Sequence, residues 1–148
     1  MTEHIIDGHR IGVLFSEAEI AIRVKSVAAA IAEKKPANLL VVPILKGSFV
    51  FAADLIRAMH HAGLSPQVDF MILSSYRAAT HSSGQVQVLR DIETDVRGRD
   101  VLLIDDILES GRTLAFAKDL LAARGAKTVY TSVLLNKPGH LAAHITAD

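Results

Sequence analysis

The sequence predicts an α/β protein built on a doubly wound, mostly parallel sheet. Short apolar runs of strand length alternate with stretches of helical period, and the turns between them are brief. Three of the apolar runs end in polar signatures, at Lys46-Gly47, Asp105-Asp106 and Lys137. In a parallel sheet those ends share one edge, which is where ligands bind.

Taken in order, residues 11–15 form a short apolar stretch expected at an edge or the periphery. Ser16 and Glu19 have the capping-box spacing. Ile20, Val24, Val27 and Ile31 then recur at helical period, so 17–34 reads as one amphipathic helix, closed by Pro36. Residues 38–45 read as a strand buried on both faces, broken by Lys46-Gly47-Ser48. Ala52, Leu55, Ile56 and Met59 mark a second helix that closes near Gly63, and 68–73 is a further strand ending at Ser74-Ser75-Tyr76. Residues 77–85 are polar, with neither period nor apolar anchor, and are expected to be a mobile loop before a short strand at 86–89.

A turn at Arg97-Gly98-Arg99-Asp100 leads into the central strand, 101–104, which is expected to end at the two acids. The loop Glu109-Ser110-Gly111-Arg112-Thr113 then enters a helix over 114–124, with Gly125 placed to cap it. A last strand, 129–135, ends at Asn136-Lys137-Pro138-Gly139.

The chain's bulk properties set limits. At 148 residues and 15.9 kDa, 1–148 is expected to be a single domain with a real core. Sixteen basic residues balance sixteen acidic ones, so no global field draws the chain to nucleic acid or membrane, and any anion site must be local. The absence of cysteine excludes disulfides, thiolate metal sites and a cysteine nucleophile. No signal-peptide pattern opens the chain and no apolar run is long enough to span a bilayer, so the expected location is the cytoplasm. Histidines 4, 9, 60, 61, 81, 140 and 144 show no metal-ligand spacing.

Within 101–113, paired carboxylates that suit a sugar diol stand beside small residues, hydroxyls and free N–H groups at a helix start, which suit a phosphate. Together they point to a phosphorylated sugar. This stretch resembles the phosphoribosyl-diphosphate motif of the phosphoribosyltransferases: apolar strand, two acids, two apolar residues, an acid, Ser/Thr, Gly, any residue, Thr. More narrowly, the chain is similar to the hypoxanthine (hypoxanthine-guanine) phosphoribosyltransferase family. Residues 42–55 resemble that family's pyrophosphate loop and the helix after it, 68–76 the approach to its flexible catalytic loop, and 134–138 its purine-recognising strand end. Four motifs in the family's order, over roughly 10–139, are far more specific than any one alone.

The resemblance implies a type I phosphoribosyltransferase fold, Rossmann-like, with a mostly parallel twisted sheet flanked by helices and a small incomplete hood. It implies a purine-salvage enzyme that moves the 5-phosphoribosyl group from 5-phosphoribosyl diphosphate to hypoxanthine and guanine, releasing pyrophosphate. Asp105 and Asp106 would hold the ribose diol and a Mg²⁺ ion. Glu109 would accept the purine proton, at a position where most relatives carry Asp. The amide of Leu108 and residues Ser110, Gly111, Arg112 and Thr113 would cradle the 5-phosphate. Lys46 and Gly47 would bind pyrophosphate, with the Leu45–Lys46 peptide cis or able to become so. Lys137 would donate to the purine six-position oxygen, and Ser75 and Tyr76 would begin the closing loop.

The resemblance also implies a homodimer or homotetramer. The family pattern continues beyond Asp148, so the purine pocket is expected to be less complete than the phosphoribosyl diphosphate cradle. Two competing readings are a nucleotide sensor on the same scaffold and a phospho-receiver domain. The receiver would need an acid where Lys46 stands.

Overall fold

The structure is a computed structural model that describes residues 2–78, 81–139, 141 and 145–148, with the side chains of 75–78 and 81–84 outside that description. Strands β1 (Glu3–Ile6) and β2 (His9–Gly12) pair as a peripheral antiparallel hairpin. They place the apolar 11–15 stretch at the surface, as its position in the chain suggests.

The body begins with helix α1 (Glu17–Glu33), whose capping box forms as the spacing requires: the Ser16 hydroxyl accepts from the Glu19 N–H at 3.1 Å, and the Glu19 carboxylate accepts from the Ser16 N–H. Then follow β3 (Leu40–Leu45), α2 (Phe49–His61), β4 (Gln67–Val68), β5 (Met71–Ala78), β6 (His81–Arg90), β7 (Asp100–Leu108), α3 (Arg112–Ala123) and β8 (Thr128–Asn136).

Among the described residues the main sheet runs β6-β5-β3-β7-β8, with β4 also beside β3. All pairings in it are parallel except β5–β6. Period-two alternation lets each central strand feed two cores. Leu40, Val42, Ile44, Val101 and Leu103 pack toward α3, while Val41, Leu102 and Ile104 pack toward α1 and α2. The sheet is therefore doubly wound. Its order also fixes a switch point: from β3 the chain moves to β5 on one side, and β7 then returns to the other. The crevice of such a sheet opens between β3 and β7.

Three expectations need correction. First, 77–85 is not a loop without structure: β5 and β6 continue toward one another as a long hairpin, paired through Arg77↔Ser82 and Ala78↔His81. The ladder is made by backbone groups, so it needs no apolar period in the sequence. Second, the 68–73 strand is split, because the Asp69 carboxylate accepts hydrogen bonds from the N–H groups of Phe70, Glu93 and Thr94 and from the Thr94 hydroxyl, at 2.8–3.0 Å. This ties the start of β5 to the segment before β7. Third, the last helix starts at Arg112, not Leu114, because Gly111 adopts φ 77° and turns the chain directly into it. That left-handed conformation suits glycine.

Candidate active site

The two acids do not end their strand; they lie within it. β7 stays paired with β8 through Asp105↔Val133 and on to Leu108↔Asn136, whereas its pairing with β3 ends at Pro43↔Ile104. β3 has by then turned away at Lys46-Gly47. The resulting notch is a cleft of about 470 Å³, lined on its polar side by Gly47, Asp105, Asp106, Glu109, Ser110 and Thr113. Gly111 and Leu108 also border it, with Ile44, Leu73 and Leu114 as apolar wall.

Gly47 lies so close to Asp106 that a Cβ on it would fall inside van der Waals contact of Asp106 Oδ2. The Leu45–Lys46 peptide is cis. Across the mouth, Lys137 Nζ donates to Glu109 Oε1 at 3.3 Å, and the Lys137 N–H donates to the Leu108 carbonyl at 2.9 Å. Both side chains of the Lys137–Glu109 pair are about half exposed, so the pair contributes ~0–1 kcal/mol and opens readily.

The three strand ends thus meet on one rim. Lys46 sits on it, exposed and next to Gly47, but does not line the cleft, and Lys137 reaches it only through Glu109. Arg112 is the first residue of α3, and its N–H donates to the Ser110 hydroxyl at 3.4 Å. Ser75 and Tyr76 belong to β5, but their side chains lie outside the described residues.

Burial pushes the Asp105 carboxyl up to about 7; the Asp106 N–H, donating to Asp105 Oδ1 at 2.9 Å, opposes the rise, and the adjoining Asp106 carboxyl adds to it. Among the described residues neither acid is paired with a lysine or arginine. A part-buried pair of carboxylates is an oxygen-donor set suited to a hard divalent cation. Among the described residues no cluster of three or more His, Cys, Asp or Glu side chains has metal-holding geometry. These two acids would therefore supply only part of a coordination shell.

Residues that motif reading passed over also shape the site. Ile44, Leu73 and Leu114 form its wall, and Leu141 and Ile145 press on Gly111 from behind. The wall follows from strand-end position alone. The tail contact is tertiary and has no local signal.

Acids at the switch point of a doubly wound sheet, beside a glycine turn that opens a helix, form a setting in which anionic ligands bind. The phosphoribosyl transferase domain model matches residues 14–146, and the chain belongs to that family.

Within it, the hypoxanthine-guanine phosphoribosyltransferase of Dictyostelium discoideum is 43% identical over 127 residues, 84% of this chain and 71% of that protein. The solved hypoxanthine phosphoribosyltransferase of Staphylococcus aureus matches with a TM-score of 0.84 at 36% identity, over 92% of this chain and 73% of that one. The Trypanosoma cruzi hypoxanthine phosphoribosyltransferase, solved in complex with the product IMP, matches with a TM-score of 0.83 at 35% identity, over 92% of this chain and 76% of that one. These relatives bear transferase names, not those of nucleotide-sensing regulators.

Proposed function

We propose that the chain is a purine-salvage hypoxanthine phosphoribosyltransferase. It transfers the 5-phosphoribosyl group from 5-phosphoribosyl diphosphate to hypoxanthine or guanine, giving IMP or GMP and pyrophosphate. The observation that carries this reading is the meeting of Gly47, Asp105-Asp106, Glu109 and the Ser110–Thr113 turn around one cleft at the sheet's switch point. The similarity to transferases of this specificity supports it.

The roles below are those the family resemblance implies, and the placement of these residues around one cleft supports them. The head of α3 turns backbone N–H groups, with the Ser110 and Thr113 hydroxyls beside them, toward the 5-phosphate. Asp105 and Asp106 hold the ribose diol and are the residues that would bind Mg²⁺; when bound, the ion supplies charge neutralisation for the departing pyrophosphate. Gly47, free of a side chain, lets the pyrophosphate approach the backbone close to Asp106. Lys46 adds a positive charge at the same end. Cleavage of the anomeric carbon–oxygen bond leads, and the purine nitrogen bonds to that carbon as pyrophosphate leaves. Glu109 takes the proton from the purine. Lys137, released from Glu109 when the base enters between them, donates to the six-position oxygen, which adenine lacks. Ser75 and Tyr76 begin the arm that closes over the cleft. A cytoplasmic setting and a dimer or tetramer belong to the same reading and come from the family resemblance.

The test is direct. Hypoxanthine, 5-phosphoribosyl diphosphate and Mg²⁺ are incubated with the chain, and IMP is followed by ultraviolet absorbance, with a Mg²⁺-free arm and parallel guanine and xanthine arms. IMP formation that needs Mg²⁺ supports the reading. Failure to bind phosphoribosyl diphosphate, measured separately by calorimetry, refutes it.

A further inference from the structure

After β8 the chain returns to the site from behind. Asp148 is fixed to Thr131 by four contacts: the Thr131 N–H and hydroxyl donate to Asp148 Oδ2 at 3.0 and 3.1 Å, and the Asp148 N–H donates to the Thr131 carbonyl and to its hydroxyl oxygen, each at 3.1 Å. Thr131 is almost fully buried, while Asp148 reaches it from the exposed side. Between the anchor and Pro138 lies Ile145, which joins the core of Leu108, Leu114 and Ala117 and is only 8% exposed. Ile145 Cγ2 stands 2.6 Å, and Leu141 Cδ1 3.1 Å, from where a Cβ on Gly111 would be. Gly111 therefore borders the cleft while Ile145, Leu141 and Leu108, the last also at the cleft, crowd the side where a Cβ would stand.

Glycine has the widest backbone freedom of any residue, and a loop that must order on binding loses affinity for each degree of freedom it gives up. Packing on the rear of Gly111 removes that freedom in advance. We infer that Ile145, anchored through Thr131–Asp148, is a positioning residue for the anion loop: it holds Gly111 in its left-handed turn so that the head of α3 is set against the cleft before ligand arrives. The inference rests on the proposed function only in identifying the anion as a 5-phosphate. Ile145 does not touch the reacting groups, so its effect falls on phosphate-ligand affinity and on KM for phosphoribosyl diphosphate, with kcat at saturation little changed.

Calorimetric titration with phosphoribosyl diphosphate and Mg²⁺, and separately with inorganic phosphate, compares the wild type with Ile145→Ala, Ile145→Val and Thr131→Val. Val96→Ala is the control, because Val96 lies in the same apolar cluster, is also buried, and touches neither the cleft nor Gly111. Thermal unfolding of each variant matches the stability losses. Ile145→Ala and Thr131→Val should weaken phosphoribosyl diphosphate by ~10-fold and Ile145→Val by less, while Val96→Ala stays within about twofold of wild type. Affinities for Ile145→Ala and Val96→Ala that agree within about twofold overturn the inference. If Ile145→Ala does not fold, Thr131→Val and Ile145→Val decide, and a loss under about threefold in both overturns it. Wild-type binding of inorganic phosphate without phosphoribosyl diphosphate defeats the functional reading alone, and the phosphate titrations then judge the positioning role. Binding of neither defeats both.

Discussion

Replacing Asp105 with asparagine should make the ligand-free protein more stable at pH 8 and leave it nearly unchanged at pH 4. Burial holds the Asp105 carboxyl at about 7 against an ordinary 3.8. Ionising it in the folded chain therefore costs roughly 4 kcal/mol more than in the unfolded chain, at about 1.4 kcal/mol per pH unit. Water reaching the open cleft reduces this to on the order of 2–4 kcal/mol. The sign follows from proton counting. Between pH 3.8 and about 7 the folded state keeps a proton that the unfolded state has released, so stability falls as pH rises through that window and levels off above it.

Asparagine carries no such proton and retains the oxygen that accepts the Asp106 N–H. Urea unfolding of both proteins at pH 4, 6 and 8 reads the difference between them, so that groups common to both cancel. The gap should open from near zero to ~2–4 kcal/mol across the series. Mg²⁺ with phosphoribosyl diphosphate should narrow it again by stabilising the wild type alone. A gap that does not change with pH, or a variant less stable than wild type at pH 8, would show that burial of this acid is not what sets its proton affinity.

Three further outcomes follow from the same geometry. Glu109→Gln should lower turnover by ~10²–10⁴-fold, the range for a lost acid-base group, and single-turnover kinetics showing an unchanged chemical step would remove Glu109 from that role. Gly47→Ala pushes a methyl against the Asp106 carboxylate. Because Gly47 is exposed, the expected result is a loss of about tenfold or more in phosphoribosyl diphosphate affinity with less than ~1 kcal/mol lost in stability, and a variant that binds as wild type does would contradict the contact. Asp69→Ala leaves the N–H groups of Glu93 and Thr94 without their acceptor and should cost ~1–3 kcal/mol in urea unfolding. The loss should fade at low pH, because the hydrogen bonds to Asp69 outweigh its burial and hold its carboxyl below the usual value.

How far the residues alone reveal this fold depends on the range of the interaction that decides each feature. The buried strand at Leu40–Leu45, the apolar first half of Asp100–Leu108 and the α1 capping box are written locally, in apolar runs and in side chains three positions apart, and so they were legible. The β5–β6 hairpin was not, because its rungs are backbone hydrogen bonds between polar segments, and polar composition reads equally well as a loop. The start of α3 shifted by two residues for a similar reason: one glycine dihedral decides it, and the helical period begins to show only with Leu114.

At the site the types of residue were legible but their depth was not. Asp105 and Asp106 read as the end of a strand, yet they lie inside one, and it is the departure of β3 after Pro43 that opens space in front of them. Asp105 keeps its β8 neighbour and is part-buried, and that burial pushes its carboxyl up to about 7 although it stands at the wall of an open cleft. A carboxyl in a fully solvated turn would already be ionised at neutral pH without any ligand. Burial here disfavours the charged form instead, and a cation entering the cleft would oppose that effect. The position of Asp105 between β8 on one side and the departing β3 on the other therefore couples the local sheet geometry to ligand binding.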